Sequence, residues 1–342
     1  MTLSPFEQDI IDQPGALRDF ARAEPDAVPP LLLPEHRERY DRIVLTGMGS
    51  SHFAALPTWR SLVSLGHTAW WADAGQLLDS PGLVTDTTLL VATSQSGNSA
   101  EIAALLDLYR ASPRPRTIIG ITNDHNSALA TAADAVIDLR SGAEATVSTK
   151  SYLNTLAAHQ QLLNTLSGHG NNPDAVTAAA RTVEHLDPGP AVTDLARCAA
   201  DTPRIAFIGN QDQAATALYA GLITKEAAKV PAEGYIGGQF RHGPMELAGP
   251  GLTAVLFGAW ADDRSASLRT LAADLVASGS DVTLVGDLVQ HGARTIEVPR
   301  PDALTELATS AVVAQHIAVH IARARGIEPG AFTYGSKITT AL

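Results

Sequence analysis

The sequence predicts an α/β fold built from two doubly wound parallel sheets in tandem. Short apolar, β-branched runs alternate with longer stretches of helical period, the pattern of strands joined by helical crossovers. The alternation runs from Arg42 to Leu139, pauses over a long helical segment and a loop-like stretch, then restarts at Arg204 in a similar order. The length of 342 residues suits two ordinary domains or one large α/β unit, and 45% hydrophobic residues suffice for a substantial core.

Taken in order, the expected strands of the first series are Arg42–Thr46, Thr68–Trp71, Thr88–Thr93, Thr117–Thr122 and Ala135–Leu139, with helices over Ser51–Leu65 and Ala100–Ala111. A long helix, Lys150–Ser167, follows, then a loop at Gly168–Pro173 and a helix ending near Pro188-Gly189-Pro190. The second series has strands at Arg204–Ile208, Thr253–Gly258, Asp281–Gly286 and Thr295–Val298, and helices at Ala214–Lys229, Arg264–Ala277 and Asp302–Arg325. This divides the chain into an N-terminal helical segment (1–34), two α/β subdomains (35–190 and 191–328) and a C-terminal tail (329–342).

Composition narrows the functions. A net charge of −12 opposes a nucleic-acid partner, which needs a basic footprint, but not a phosphorylated metabolite, which needs one favourable pocket. Cys198 is the only cysteine, so neither an intrachain disulfide nor a Cys-based zinc site is expected. Met1 to Gln13 has no apolar core and does not read as a signal peptide. The apolar stretch Ala303–Ala324 is interrupted by Glu306, His316 and His320, so it reads as a buried helix rather than a membrane span. A cytoplasmic location, with no membrane partner, is expected. His316 and His320 share a helix face, but with no third ligand nearby they read as core histidines, and no metal or cofactor is expected. Trp70-Trp71 reads as packing at the core or at a dimer surface.

In doubly wound sheets ligands gather at the carboxyl ends of strands, which selects Gly47–His52, Ser94–Ser99 and Ser141–Lys150. Ser94, Ser96 and Ser99 offer hydroxyls, Gln95 an amide, and Gly97 lets the backbone approach a ligand. The first-turn N–H groups of the following helix carry the positive end of its dipole, which suits a phosphate dianion. A simple helix cap would need fewer polar side chains than this turn carries. Thr46-Gly-Met-Gly-Ser-Ser-His52 looks at first like a dinucleotide fingerprint, with Asp73 as the ribose acid. His52 replaces its third glycine, however, and a side chain there obstructs close helix–strand packing.

Ser94-Gln-Ser-Gly-Asn-Ser99 resembles the sugar-phosphate loop of sugar isomerase (SIS) domains, and Ser148-Thr-Lys150 their S-T-K motif. Lys225-Glu226, Arg241-His-Gly-Pro244, the segment Glu7 to Pro14 and the tail Ser336–Leu342 resemble the isomerase domain of glucosamine-6-phosphate synthase. The resemblance implies tandem flavodoxin-like SIS subdomains, a hexose 6-phosphate ligand, no cofactor, and a homodimer with its active site at the subunit interface. It implies phosphate contacts from Ser94, Gln95, Ser96, Ser99, Gly49 and Ser50, and sugar contacts from Glu144, Val147, Ser148 and Lys150. The catalytic set it implies is Glu226 as base, His242 for ring opening and Lys337 as Schiff-base former or polarising cation. Three departures stand out. The chain starts at the isomerase part, so no glutamine-derived ammonia is expected. Gln239 replaces a frequent glutamate. Met48-Gly49 replaces a frequent threonine or serine.

The residues suit this chemistry. A partly dry carboxylate can carry a proton between carbons 1 and 2, and an imidazole titrating near neutrality can serve the ring oxygen. Lys229, one turn from Glu226, is the alternative ion-pair partner of that carboxylate. Phe332, Tyr334 and Ile338 are expected to anchor the tail. The expected activity is an aminosugar-phosphate deaminase/isomerase acting on a substrate such as glucosamine 6-phosphate. A fructosamine 6-phosphate deglycase or an aldose–ketose isomerase is the alternative, and a non-catalytic sugar-phosphate sensor comes last.

Overall fold

The computed structural model describes residues 2–33, 39–110, 114–201, 204–258 and 265–339. The start of the expected helix Arg264–Ala277, the end of Ala100–Ala111 and the last residues of Ser336–Leu342 therefore lie outside the described residues. The chain forms two compact units. One gathers Gly15–Glu144, Lys150–Thr177 and Gly335–Leu342. The other gathers Met1–Pro14, Ala145–Thr149 and Ala178–Tyr334.

Two N-terminal helices, α1 (Pro5–Ile11) and α2 (Gln13–Arg22), come first. Ser4 and Glu7 close a capping box at the start of α1. The first-sheet unit then runs β1 (Arg42–Gly47), α3 (Gly49–Ala54), α4 (Leu56–Ser64), β2 (Ala69–Trp71), α5 (Ala74–Asp79), β3 (Thr88–Thr93), α6 (Ala100–Arg110), β4 (Thr117–Thr122), α7 (Ala128–Ala132), β5 (Ala135–Asp138) and α8 (Lys150–Leu166). All pairings are parallel and the strand order is β2-β1-β3-β4-β5. β3 is buried along its whole length, and β1 and β4 are buried beyond their first residue. Burial on both faces is why these strands read as unbroken apolar runs. Val44, Leu90 and Ile118 pack against Ile102 and Leu105 of α6. The helix expected over Ser51–Leu65 is two helices, because Pro57 in the first turn of α4 has no N–H to continue the ladder.

Helix α9 (Pro173–Glu184) is divided between the units. The second-sheet unit continues with α10 (Gly189–Asp201), β6 (Arg204–Gly209), α11 (Gln213–Ala228), β7 (Ala232–Ile236), β8 (Leu252–Phe257), α12 (Ala266–Ala277), β9 (Asp281–Val285), β10 (Arg294–Ile296) and α13 (Ala303–Ala324). Its parallel order, β10-β9-β8-β6-β7, repeats the topology of the first: the third strand of each series pairs with the first, on the side away from the second. Strand β7 and helix α10 are additions to the expected elements. β7 reads Ala-Glu-Gly-Tyr-Ile at a sheet edge, where the apolar signal is broken. Its Gly234 is needed because a Cβ there would overlap the α11 backbone at Ala217 and Leu218. Helix α13 is buried along nearly its whole length. Among the described residues no helix is long and apolar enough to cross a membrane.

Candidate functional site

In the first-sheet unit the order β2-β1-β3 puts the topological switch point between β1 and β3, where loops diverge to opposite faces and leave a crevice. The two loops expected to hold phosphate leave these two strands. Gly47 pairs with Thr93 in register, and a Cβ on Gly47 would come within 2.7 Å of the Thr93 carbonyl, so glycine is required for the approach. Gly49 opens α3 with φ +51°, and Ser50 beside it is half-buried.

The Ser94–Ser99 turn is built from its own hydroxyls. The Gly97 N–H donates to Ser94 Oγ at 3.2 Å, and the Asn98 N–H to Ser96 Oγ at 3.2 Å. Ser94 Oγ lies 3.5 Å from Ser99 Oγ. The Gln95 carbonyl accepts from the Asn123 N–H at 2.9 Å and from Thr122 Oγ1 at 3.3 Å, which ties the turn to the end of β4. Gly97 sits at φ +63°, and a Cβ there would overlap Ser127 Oγ, the cap of α7. Behind the turn, Thr93 Oγ1 and His159 Nε2 are hydrogen-bonded at 3.1 Å, and burial pushes His159 down to about 3. His52 occupies the place of the third glycine of the dinucleotide pattern. It stacks on Trp71 with ring centroids 4.1 Å apart and 4° between planes, burial holds it near 4, and Trp71 Nε1 donates to its carbonyl. Trp70, by contrast, is half exposed.

Glu144, Lys150 and Lys337 meet in the same unit. Glu144 Oε2 accepts from Lys337 Nζ at 2.5 Å and from Ser151 Oγ at 2.6 Å, while Oε1 accepts from the Ser151 N–H at 3.0 Å. Burial pushes the Glu144 carboxyl up, but Lys337 and Ser151 outweigh it and the group lies below its ordinary value. Lys150 Nζ donates to the Ala143 carbonyl at 2.6 Å. The tail carbonyl of Thr339 accepts from the Ala100 N–H at 3.0 Å, at the start of α6. Of the expected apolar anchors only Phe332 is half-buried, under the Lys229 ammonium, whereas Tyr334 is fully exposed and Ile338 is 38% exposed, so beyond Phe332 the tail is held by polar contacts. Ser151 and the Thr339 carbonyl went unnoticed in the sequence, since a serine in a helix and a main-chain oxygen carry no motif.

The second-sheet unit holds the remaining candidates. Val147 is fully buried, and the Ser148 carbonyl accepts from Tyr219 Oη at 2.6 Å. Tyr219 and Glu226 are seven apart on α11 and share a face of that helix. Glu226 is half-buried. Lys229 has φ +54° at the C-cap and turns its ammonium to the Glu226 main-chain carbonyl and the Phe332 ring, 5.4 Å from the centroid. Burial lowers Lys229, against the charge of Glu226. Lys225 faces Glu233 at 3.4 Å. His242 caps the 3-10 turn Gly237–Arg241 and is exposed, with its loop pinned by buried Phe240 and by Arg241 on Asp274 at 2.7 Å. His320 Nδ1 lies 3.3 Å from Thr193 Oγ1, and burial lowers both His316 and His320. Among the described residues no three His, Cys, Asp or Glu side chains gather to hold a metal.

Residues 38–165 match the family described as the SIS domain. A SIS domain thus occupies residues 38–165. Over 94% of its length it is also 28% identical to the glutamine–fructose-6-phosphate aminotransferases (isomerizing) of Pyrococcus horikoshii and Symbiobacterium thermophilum. The chain spans only 55–56% of the length of those relatives. In fold it is similar to the C-terminal domain of glucosamine-fructose-6-phosphate aminotransferase from Francisella tularensis, with TM-score 0.80 and 19% identity, covering 94% of this chain and 96% of that one. It is also similar to a glucosamine-6-phosphate deaminase from Thermotoga maritima, with TM-score 0.71, 20% identity and coverage of 98% and 99%. A tagatose-6-phosphate ketose/aldose isomerase from Escherichia coli gives TM-score 0.78, 21% identity and coverage of 96% and 94%. The α/β fold of two parallel five-stranded sheets therefore matches tandem SIS subdomains.

Proposed function

We propose that this chain is a sugar-phosphate isomerase of the deaminase type, which opens a hexose 6-phosphate such as glucosamine 6-phosphate and moves a proton between carbons 1 and 2. The observation that carries the reading is the switch point of the first sheet. Two glycine-containing loops leave adjacent strands there, and one of them concentrates three hydroxyls, an amide and a helix start. The SIS match over residues 38–165 supports it, as does the homology to aminotransferases named as isomerizing.

In this reading Ser94, Gln95, Ser96 and Ser99, with Gly49 and Ser50, hold the phosphate. Ser96 accepts from the Asn98 N–H and keeps its hydroxyl proton for a phosphate oxygen, while Ser94 and Ser99 lie 3.5 Å apart and can share theirs. Glu226 carries the proton between the carbons. His242 exchanges a proton with the ring oxygen, and Lys337 faces the open-chain carbonyl. The Val147–Lys150 segment lines the sugar end, with the Ser148 carbonyl fixed by Tyr219. An exposed His242 on a pinned loop suits a homodimer in which each copy completes the site of the other. The subdomains of this reading are residues 35–190 and 191–328, flanked by 1–34 and 329–342.

The test is ammonia release and fructose 6-phosphate formation from glucosamine 6-phosphate. Turnover by the wild-type chain with loss in Glu226→Gln is the expected result. A folded protein that binds no hexose phosphate would sink the reading.

A further inference from the structure

We propose that Glu144 is the positioning residue for Lys337: its covered carboxylate clasps the C-terminal tail and fixes the lysine ammonium. The role given to Lys337 rests on the function proposed above; the clasp itself does not.

The Glu144 side chain is completely covered, and Lys337 beside it is 21% exposed. A carboxylate removed from water costs several kcal/mol unless donors replace the water it has lost. Here Lys337 Nζ, Ser151 Oγ and the Ser151 N–H are those donors, at 2.5, 2.6 and 3.0 Å. With its side chain completely covered, Glu144 presents no open oxygen to a sugar hydroxyl, so it acts through Lys337 rather than on the substrate.

The turn that carries Glu144 is fixed independently of the tail. Asn123 Oδ1 accepts from the Ser141 N–H at 2.8 Å and from Ser141 Oγ at 3.1 Å, and its Nδ2 donates to the Gly142 carbonyl at 3.0 Å. Lys150 holds the Ala143 carbonyl, and Arg140 is clamped on Asp26 at 2.9 and 3.0 Å. The tail brings little of its own: Ser336, Ile338 and Thr339 are exposed. Its second attachment, the Thr339 carbonyl on the Ala100 N–H, falls two residues beyond Lys337. Together the two contacts hold the tail at the Lys337 side chain and at the Thr339 main chain, the latter at the start of the helix that leaves the Ser94–Ser99 turn.

Competitive acetylation of the whole chain, read residue by residue by mass spectrometry, tests this. Exposed Lys225 serves as the internal reference. In the wild type Lys337 should react about tenfold more slowly than Lys225, and in Glu144→Gln the two rates should converge. Glu144→Asp, which keeps the charge, should restore part of the protection. If Glu144→Gln does not fold, Ser151→Ala supplies the readout, with a rise of about threefold at Lys337. Equal labelling of Lys337 and Lys225 in the wild type overturns the clasp. In turnover, Glu144→Gln should lower kcat about tenfold or more with KM within about twofold, and Glu144→Asp should recover part of it. A raised KM with kcat intact would make Glu144 a substrate contact and overturn the proposal. Failure of the function reading has a different signature: Lys337 protected, yet no hexose phosphate turned over.

Discussion

At the scale of single residues, the fold keeps some titratable groups dry and neutral and others covered but charged. Glu226 is half-buried near the C-terminal end of α11, beside a lysine whose ammonium is turned to main chain and ring. Replacing it with glutamine keeps the shape and removes the base, so turnover should fall by about 10²–10⁴-fold with substrate affinity nearly unchanged. Steady-state kinetics with hexose 6-phosphates checks this, and an unaltered kcat would remove Glu226 from the mechanism. His52 and His159 show the opposite use of burial. Both lie behind the switch point, and burial holds them near 4 and 3; for His52 the charge of Asp73 partly opposes the shift. They are neutral in the fold yet titrate near 6.5 when unfolded, so unfolding takes up protons as the pH drops below that value. Their contribution to stability is complete above about pH 6.5 and is lost progressively toward the folded values, at up to about 2.7 kcal/mol per pH unit for the pair. Glu144 acts lower: its carboxyl is depressed in the fold, so its contribution is present above the ordinary glutamate value and is lost only as the pH falls below it. Urea midpoints should therefore drop between pH 7 and 5 even though Glu144 stays ionised. A flat midpoint over that interval would contradict the neutral buried histidines.

Among elements, the Ser94–Ser99 turn and the helix after it separate two kinds of dependence. Gly97 is structural, with φ +63° and no room for a Cβ beside Ser127. Gly97→Ala should cost about 1–3 kcal/mol of stability in denaturant titration and weaken phosphate binding along with it. Ser94→Ala combined with Ser99→Ala removes hydroxyls, not backbone, and should weaken hexose 6-phosphate binding about tenfold per lost charge-assisted hydrogen bond. Calorimetry with phosphorylated and unphosphorylated hexose distinguishes the two, since only the phosphorylated ligand should lose affinity. This turn was legible in the sequence because strand, glycine, hydroxyls and helix follow one another within a few residues. The strands were legible for a related reason: β1, β3 and β4 are buried on both faces, so nothing polar interrupts them. β7 was not, because an edge strand carrying Glu233 and a glycine demanded by α11 looks like a loop. Nor was the Glu144–Lys337 pair, whose partners are 193 residues apart and share no local pattern. Apolar anchoring of the tail was expected of Phe332, Tyr334 and Ile338; Phe332 is half-buried under Lys229, but Tyr334 and Ile338 stay exposed, because apolar content alone does not say whether a segment finds a groove.

For the whole molecule, duplication of one strand order explains why the two halves read alike while sharing little sequence. The order constrains where strands end, not which side chains stand there. The phosphate signature occurs after the third strand of the first sheet, whereas the carboxylate and histidine assigned to chemistry belong to the second-sheet unit. Function in this account is therefore a property of the full chain, and the proposed homodimer makes it a property of two. Sedimentation of the intact protein should give twice the monomer mass, and mixing inactive Glu226→Gln with inactive His242→Ala chains should restore part of the activity if each copy completes the other's site. The central claim, however, is proton transfer on a hexose 6-phosphate, whichever nitrogen departs. Incubation with fructose 6-phosphate and with glucosamine 6-phosphate in heavy water, followed by proton NMR, addresses it most directly. The account predicts deuterium at carbon 1 of the ketose or carbon 2 of the aldose with the wild-type chain, and none with Glu226→Gln. Bound sugar phosphate that neither exchanges nor converts would contradict it.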